Sequence, residues 1–224
     1  MSGVTEALPA QGSHAEQMDA VYALQRHIYD FTRKYYLLGR DTLIDELDAQ
    51  VGDHVLEVGC GTARNLVAAA WLYPGAHFYG IDISAEMLKS ARAKLARKHL
   101  DTRIRLACAD ATAFDPFKLF QRRAFDRIVF SYTLSMIPGW DAALELACTM
   151  LVPGGEIHLV DFGQQERLPE WCAPALRAWL ARFHVTPRAG LLTVCDELAA
   201  RHGLSCFTRS LCRDYAWNAV LARA

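Results

Sequence analysis

The stretch LEVGCGTARN, residues 56–65, decides the fold, because an apolar run ends there in an acid and two closely spaced glycines. The apolar run predicts a buried strand over residues 54–58, and the residues after the glycines predict a helix over 63–72. A glycine turn between a strand and a helix lies at the carboxyl end of the strand, which is the usual ligand crevice of an open α/β sheet. The turn therefore either holds a ligand or uses its glycines only for a tight connection.

Strands and helices alternate along the rest of the chain. After the first strand, the patterns predict strands over residues 77–82, 103–107, 126–131, 156–160, 205–211 and 214–221. Helical spacing of apolar residues predicts helices over 85–98, 140–151, 169–183 and 192–202. Such alternation predicts an α/β fold, a mostly parallel sheet with helices on both faces.

The segment before the first strand differs from the rest. Residues 1–14 are small and polar, and we expect a disordered leader there. Apolar residues at helical spacing over 18–38, followed by a short helix over 41–47, predict that residues 15–50 form an N-terminal helical lid. Residues 51–224 then form the ligand-binding domain, and the lid packs on that same domain.

The composition limits the classes of function. The formal net charge of −1 gives no strong overall field that would recruit nucleic acid or an anionic membrane. Seven cysteines, never spaced C-x-x-C, indicate reduced thiols rather than a disulfide framework or a zinc site. The start resembles no signal peptide, and no run approaches the ~18 apolar residues that a spanning helix needs. We therefore expect a cytoplasmic protein that binds neither nucleic acid nor metal.

Two further acids follow predicted strands and narrow the choice of ligand. Asp82 ends a strand at a place where an acid can bind the hydroxyls of a ribose. Asp110 follows the next strand and could accept from an adenine amino group; each acid could instead be a helix cap or a solvated loop residue. A dinucleotide is disfavoured, because Arg64 stands where its third glycine belongs, and the chain has no G-x-x-x-x-G-K pattern for a triphosphate.

As a set, these features resemble the class I S-adenosylmethionine-dependent methyltransferases. The matching stretches are EVGCG (57–61), Asp82, Asp110, FDRIVFSYTLSMI (125–137) and LVPGGEIHLVDF (151–162), where LVPGGE is expected to make a turn ahead of the fifth strand. The resemblance covers residues 51–162 and implies a Rossmann-like, seven-stranded sheet whose last strand is antiparallel. It also implies S-adenosylmethionine as the methyl donor.

The resemblance further implies which residues contact the cofactor. Gly59 and Gly61 would line its methionine part, Asp82 its ribose and Asp110 its adenine. Ala63 stands where many members of the family have glycine, a mild departure. The remaining predicted cofactor contacts are Tyr29, Arg33, Glu57, Ile83, Met87, Ala111 and Ser131.

Three segments, one within this core and two outside it, resemble the bacterial betaine-lipid N-methyltransferases, which methylate diacylglyceryl-homoserine three times. The stretches that carry this closer resemblance are IYDFTRKYYLLGRD (28–41), SYTLSMIPGW (131–140) and RAWLARFHVTPR (177–188). The resemblance implies a lipid acceptor at the bilayer surface and, as a possible partner, the synthase that makes the precursor lipid. We accordingly expect the protein at the inner face of the membrane, peripherally attached.

Methyl transfer to nitrogen needs a neutral amine held in line with the donor. Tyr132 and His184 are the candidates to orient the amine or relay its proton, although Tyr132 could be a core aromatic and His184 a loop histidine. The carboxylate of the acceptor calls for a cation such as Arg33, Arg182 or Arg188. Tyr35 is the candidate to meet the trimethylated headgroup with its aromatic face.

One helical face is a candidate for contact with a membrane. The residues on this face are Leu176, Trp179, Leu180 and Phe183. They fall on the same side of the helix predicted over 169–183, which indicates either a packed helix or an interfacial face.

Three alternative functions stay open: methylation of another amine or of a quinone ring, a non-catalytic cofactor-binding subunit of a lipid synthase, and, least favoured, methylation of a nucleic acid.

Overall fold

The computed structural model describes residues 37–168, 172–182 and 185–224. The predicted leader and residues 15–36 of the predicted lid lie outside the described residues. Residues 37–50 are described, and they include the helix α1 (Arg40–Asp45), whose Leu43 and Ile44 are buried in the core. The rest of the lid stays a prediction.

Thirteen further elements follow α1 in the described part of the chain. In order they are β1 (His54–Val58), α2 (Arg64–Leu72), β2 (His77–Asp82), α3 (Ala85–Arg97), β3 (Ile104–Cys108), α4 (Pro116–Phe120), β4 (Phe125–Ser131), α5 (Trp140–Thr149), β5 (Leu151–Phe162), α6 (Cys172–Ala181), α7 (Leu191–His202), β6 (Leu204–Leu211) and β7 (Ala216–Arg223).

The strands form one seven-stranded sheet in the order β3-β2-β1-β4-β5-β7-β6. Strands β1 to β5 pair in parallel, and β7 lies antiparallel to both β5 and β6. The predicted α/β fold with an antiparallel last strand is therefore confirmed. Because the strand order reverses between β1 and β4, their carboxyl ends flank the crevice in which such sheets bind ligands.

Helices cover both faces of the sheet and bury two apolar clusters. Buried residues of α1, α2, α3 and α6 form the cluster on one face. Buried residues of α4, α5 and α7 belong to the cluster on the other face. The sheet is thus buried on both sides, as parallel strands rich in Val, Ile and Leu require.

Two local features differ from the predictions. The short helix α4 was not predicted; it begins at Pro116, and the Asp115 side chain accepts from the amides of Phe117 and Lys118 at its N-terminus. Strand β5 begins at Leu151 rather than after the glycines, so LVPGGE lies within the strand. The pairing of β4 with β5 shifts register there, and Gly154 has a φ of 76° that suits glycine.

The face of α6 proposed for membrane contact packs on the core instead, which corrects that prediction. Leu180 is buried, and Leu176 and Trp179 are partly buried against the cluster that α1, α2 and α3 share. Phe183 lies outside the described residues. Within the ranges that the structure describes, every helix is too short or too polar to cross a bilayer.

Candidate active site

A cavity of about 450 Å³ opens at the carboxyl ends of the central parallel strands. Its walls come from the glycine turn after β1, the ends of β2 and β3, and the loop that joins β4 to α5. The lining residues are Gly59, Gly61, Ile81, Asp82, Ile83, Met87, Ala109, Asp110, Ala111, Thr112, Tyr132, Thr133, Met136, Ile137, Pro138, Gly139 and Ala142. Of the predicted cofactor contacts, seven line this cavity, namely Gly59, Gly61, Asp82, Ile83, Met87, Asp110 and Ala111.

The turn after β1 has a backbone that glycine suits and leaves no room for a side chain at its first glycine. Gly59 has a φ of 73°, and a Cβ atom there would stand 1.9 Å from Oγ1 of Thr133. The amides of Gly59 and Cys60 both donate to the carbonyl of Ile81 at 2.9 Å, which ties the turn to the end of β2. Ala63 has a φ of 57°, a left-handed backbone conformation that glycine adopts with less strain.

Asp82 holds this turn with both oxygens of its carboxylate. Oδ2 accepts from the amide of Gly61 at 2.8 Å, and Oδ1 accepts from the amide of Ser84 at 2.9 Å. Two lone pairs on each oxygen leave acceptor capacity for a ligand hydroxyl. Asp82 therefore joins the glycine turn to the start of α3, and its predicted role at the ribose stays a prediction that this position supports.

Asp110 organises the loop after β3. Its Oδ1 accepts from the amide of Thr112 at 2.8 Å and from the Thr112 hydroxyl at 2.7 Å. The loop is thereby fixed with Ala109 and Ala111 at the cavity wall, where small side chains leave space for a flat ligand. On the opposite side, Ser84 caps α3 and Met87 is buried in its first turn.

A second, smaller cavity of about 30 Å³ lies behind Gly59, which lines both cavities. Glu57, Ser131 and Arg40 line it, and the side chain of Asn65 donates to Oε1 of Glu57 at 2.7 Å. Arg40 is 7% exposed, and its Nη1 atom and the Ser131 hydroxyl have no hydrogen-bond partner among the described residues. Buried polar atoms of this kind normally have partners, so this pocket fits a charged polar group of about its own size.

Arg40 is thus a site residue that sequence reasoning missed. The cation among the predicted cofactor contacts is Arg33, which lies outside the described residues. The Nε and Nη2 atoms of Arg40 donate to Oδ1 of Asp41 at 3.0 and 2.6 Å, and Nη1 is the buried nitrogen without a partner among the described residues. The pocket fits the carboxylate of an amino acid moiety, for which a guanidinium is a strong partner.

We expect Arg40→Met to weaken binding of S-adenosylhomocysteine by about 1.5–3 kcal/mol, because a hydrogen bond to a charged group is lost. Titration calorimetry on the folded variant measures this. Methylthioadenosine is the control ligand, since it lacks the amino acid moiety and should bind both proteins equally. Equal losses for both ligands would show that Arg40 acts on the fold and not on the carboxylate.

Tyr132 lines the cavity, but its hydroxyl has a structural partner. It donates to the backbone carbonyl of Leu38, and the ring packs edge-on against Phe162 with centroids 4.6 Å apart. Burial raises the pKa of Tyr132 well above its usual value, so the phenol stays protonated. This geometry gives Tyr132 a structural role, holding the segment before α1 against the end of β4, and its part in proton relay stays a prediction.

Arg188 holds the loop beside the cavity through two backbone carbonyls. Its Nε donates to the carbonyl of Leu134 at 3.1 Å, and its Nη2 donates to that of Ile137 at 2.8 Å. These bonds fix the loop between β4 and α5, whose Ser135 amide also donates to Oδ2 of Asp161 at 3.0 Å. Arg188 therefore has a structural role in the cavity wall, and its contact with the acceptor stays a prediction.

The other predicted site residues fall into two groups. Arg182 is exposed and does not line either cavity, so its predicted acceptor contact has no support in the geometry. Tyr29, Arg33, Tyr35 and His184 lie outside the described residues, and their roles stay predictions. In the ranges that the structure describes, no three His, Cys, Asp or Glu side chains are grouped to hold a metal ion.

The family of the chain is shown by its match to a known domain. The protein-family model described as a methyltransferase domain matches residues 49–196. This range includes the glycine turn and every strand of the parallel part of the sheet. The chain belongs to this methyltransferase family. The cavity residues fit the cofactor of such enzymes, S-adenosylmethionine. The glycine turn that Asp82 holds adjoins both the cavity wall with the small residues Ala109 and Ala111 and the pocket with the buried Arg40. The predicted membership in the S-adenosylmethionine-dependent methyltransferases is thereby confirmed.

Curated relatives share part of the chain. The ubiquinone/menaquinone biosynthesis C-methyltransferase of Bradyrhizobium diazoefficiens is 30% identical over 131 residues, 57% of this chain and 50% of that protein. A demethylmenaquinone methyltransferase of Listeria monocytogenes is 27% identical over 157 residues, 70% of this chain and 63% of that protein. The chain thus spans about half to two thirds of the length of these relatives.

A solved structure shares the fold over nearly the whole chain. The phosphoethanolamine N-methyltransferase 2 of Haemonchus contortus, solved with phosphomonomethylethanolamine and S-adenosylhomocysteine, superposes with a TM-score of 0.74 at 16% identity. The match covers 96% of this chain and 61% of that one. At this identity the likeness shows the fold, and the acceptor must be argued from the site.

Proposed function

We propose that the protein is an N-methyltransferase that trimethylates the amine of diacylglyceryl-homoserine to give the betaine lipid diacylglyceryl-trimethylhomoserine. The observation that carries this proposal is the place of SYTLSMIPGW, residues 131–140. This stretch, one of three that resemble betaine-lipid N-methyltransferases, supplies Tyr132, Thr133, Met136, Ile137, Pro138 and Gly139 to the cavity wall. A segment that carries the closer resemblance thus lines the candidate site.

The chemistry of the cavity suits an amine acceptor. S-adenosylmethionine, when bound, supplies a methyl group on a positively charged sulfur. The described wall of the cavity carries carboxylates only at Asp82 and Asp110, and it has no histidine or lysine. Methylation of an amine that enters in its neutral form needs no strong base, so positioning by the walls can supply most of the rate enhancement.

Met136, Ile137 and Pro138 form an apolar part of the wall. Such a surface can exclude water from the transfer and pack against the glycerol stem of a lipid. The loop that carries them is held by Arg188 and by Asp161, so its shape is fixed before the acceptor arrives. His184 and Arg33, which lie outside the described residues, remain the candidates for proton relay and for the acceptor carboxylate.

The quinone methyltransferases among the relatives favour a second candidate, methylation of a quinone ring. The apolar wall also suits a ring with a prenyl tail. The two acceptors differ in the atom that attacks: carbon needs a neighbouring hydroxyl to lose its proton, whereas a neutral nitrogen attacks through its lone pair and releases a proton to water before the next methylation. A direct competition between the two acceptors therefore separates the proposals.

The test is methylation in vesicles that contain diacylglyceryl-homoserine, with S-adenosylmethionine labelled on its methyl group. We expect mono- and dimethyl products early and the trimethyl lipid later, detected by mass spectrometry. Phosphatidylethanolamine, which lacks the carboxylate, serves as the matched amine control and should react poorly. Faster reaction of demethylmenaquinone or phosphatidylethanolamine would refute the lipid assignment. Cofactor binding without any transfer would favour the non-catalytic subunit and would call for a test with the precursor synthase.

A further inference from the structure

The charges of the protein are unevenly distributed, although their sum is close to zero. Residues 85–125 contain ten Lys or Arg and four Asp or Glu, whereas the rest of the chain contains 14 and 21. These residues form α3, β3 and α4 with their connections, and β3 is the terminal strand at one side of the sheet. The excess positive charge is therefore collected along one edge of the molecule.

Seven exposed cations line this edge, and we call them the basic edge. They are Lys89, Arg92, Arg97, Lys98, Arg105, Lys118 and Arg123. Their side chains reach both faces of the sheet. Arg92 on α3 donates to the carbonyl of Leu106 at 3.5 Å, and Arg105 donates to that of Phe120 on the opposite face at 3.0 Å.

Most of these cations have no acidic partner. Lys89 lies 3.9 Å from Glu86 and Lys118 lies 3.8 Å from Asp115, both in exposed pairs that water screens. Within the described ranges, the other five members form no ion pair with any carboxylate. The basic edge is therefore an exposed, positively charged surface that a polyanion can neutralise.

An aromatic ring lies among these cations. Phe117 is 40% exposed, and the guanidinium of Arg123 lies 4.7 Å from the centre of its ring. An exposed ring beside cations suits the surface of an anionic bilayer. The cations contact the headgroups there, and the ring enters the apolar layer beneath the headgroups. Binding to single-stranded nucleic acid usually uses several stacking aromatics, and Phe117 is the exposed aromatic that the described part of this edge provides.

We propose that the basic edge docks the protein on an anionic bilayer. This goes beyond the proposed acceptor, because it requires no particular substrate lipid. The edge also adjoins the cavity: β3 ends at Cys108, and residues 109–112 directly after it line the cavity wall. Docking here brings the carboxyl end of β3 close to the headgroups, whereas the α6 face is committed to the core.

The test is flotation of the protein with phosphatidylcholine vesicles, prepared with and without phosphatidylglycerol and free of any acceptor lipid. We expect binding only to the anionic vesicles and its loss at high salt. The triple variant Arg97→Gln, Lys98→Gln, Arg123→Gln should bind about 100-fold more weakly, since each cation near an anionic surface contributes about fivefold.

The matched control is Arg167→Gln, Arg201→Gln, Arg213→Gln, which removes the same net charge from exposed positions away from the basic edge. It should bind vesicles like the unaltered protein, and both triple variants should keep their affinity for S-adenosylhomocysteine. Equal losses in the two triple variants would refute docking by this edge. The proposal would also be refuted if the protein bound duplex or single-stranded nucleic acid but did not bind the vesicles. Neither readout involves methyl transfer, so this result is independent of the proposed acceptor.

Discussion

Gly59→Ala should weaken binding of S-adenosylhomocysteine by at least about 100-fold, or about 2.7 kcal/mol. The added Cβ would stand 1.9 Å from Oγ1 of Thr133, and the residue would keep a φ of 73° that side chains disfavour. Thr133 lines the same cavity, so relief of the clash moves the cavity wall as well as the turn. Calorimetry with the purified variant measures the loss.

Gly203→Ala is the matched control for this variant. Gly203 ends α7 with a φ of 65°, and nothing lies within 4 Å of the position of a Cβ atom. We expect it to lower the free energy of unfolding by about 1–2 kcal/mol through backbone strain alone. Its affinity for the cofactor should not change. An unchanged affinity in Gly59→Ala would mean that the glycine turn serves only the chain connection.

Asp82→Asn should weaken cofactor binding by about 1.5–3 kcal/mol. The two oxygens of the Asp82 carboxylate each accept from a backbone amide, those of Gly61 and Ser84. An asparagine has one oxygen and one NH₂ group, so one of the two amides would face a donor. The variant also removes the charge proposed to bind the ribose hydroxyls.

Asp115→Asn is the control for this variant, because Asp115 is another aspartate whose side chain accepts from backbone amides at the start of a helix. Asp115 accepts from the amides of Phe117 and Lys118 through Oδ1 alone, so an asparagine can preserve both bonds. It should bind cofactor normally and unfold at nearly the same temperature. If Asp82→Asn also binds cofactor normally, Asp82 has no role in holding the ligand, and the ribose must be bound elsewhere in the cavity.

Local order along the chain made much of the fold predictable. Apolar runs of strand length alternate with helical spacing, and a right-handed crossover between parallel strands leaves few topologies. Gly59, Asp82 and Asp110 could be placed in one site because each follows a different strand, and the carboxyl ends of parallel strands meet at the same edge of the sheet. The cavity lining bears this out. The helix α4 was missed because five residues are too few to show a period.

Side-chain partners could not be predicted, because they depend on residues far apart in the sequence. The Tyr132 hydroxyl donates to a carbonyl 94 residues earlier, and Arg188 donates to carbonyls 54 and 51 residues earlier. Both residues therefore looked free for catalysis or substrate. The buried position of Arg40 beside Ser131, and of Leu180 against the core, likewise follows from packing across the sheet.

The sequence by itself determined the sheet, the glycine turn and the acids around it, because periodicity and turn chemistry are local properties of the chain. The tertiary structure alone decided which polar groups remain available to a ligand. It engaged Arg188 and the α6 face in structural contacts, and it added Arg40 as a candidate site residue. It also collected the cations of α3, β3 and α4 on one edge, since only the strand order places β3 at the side of the sheet.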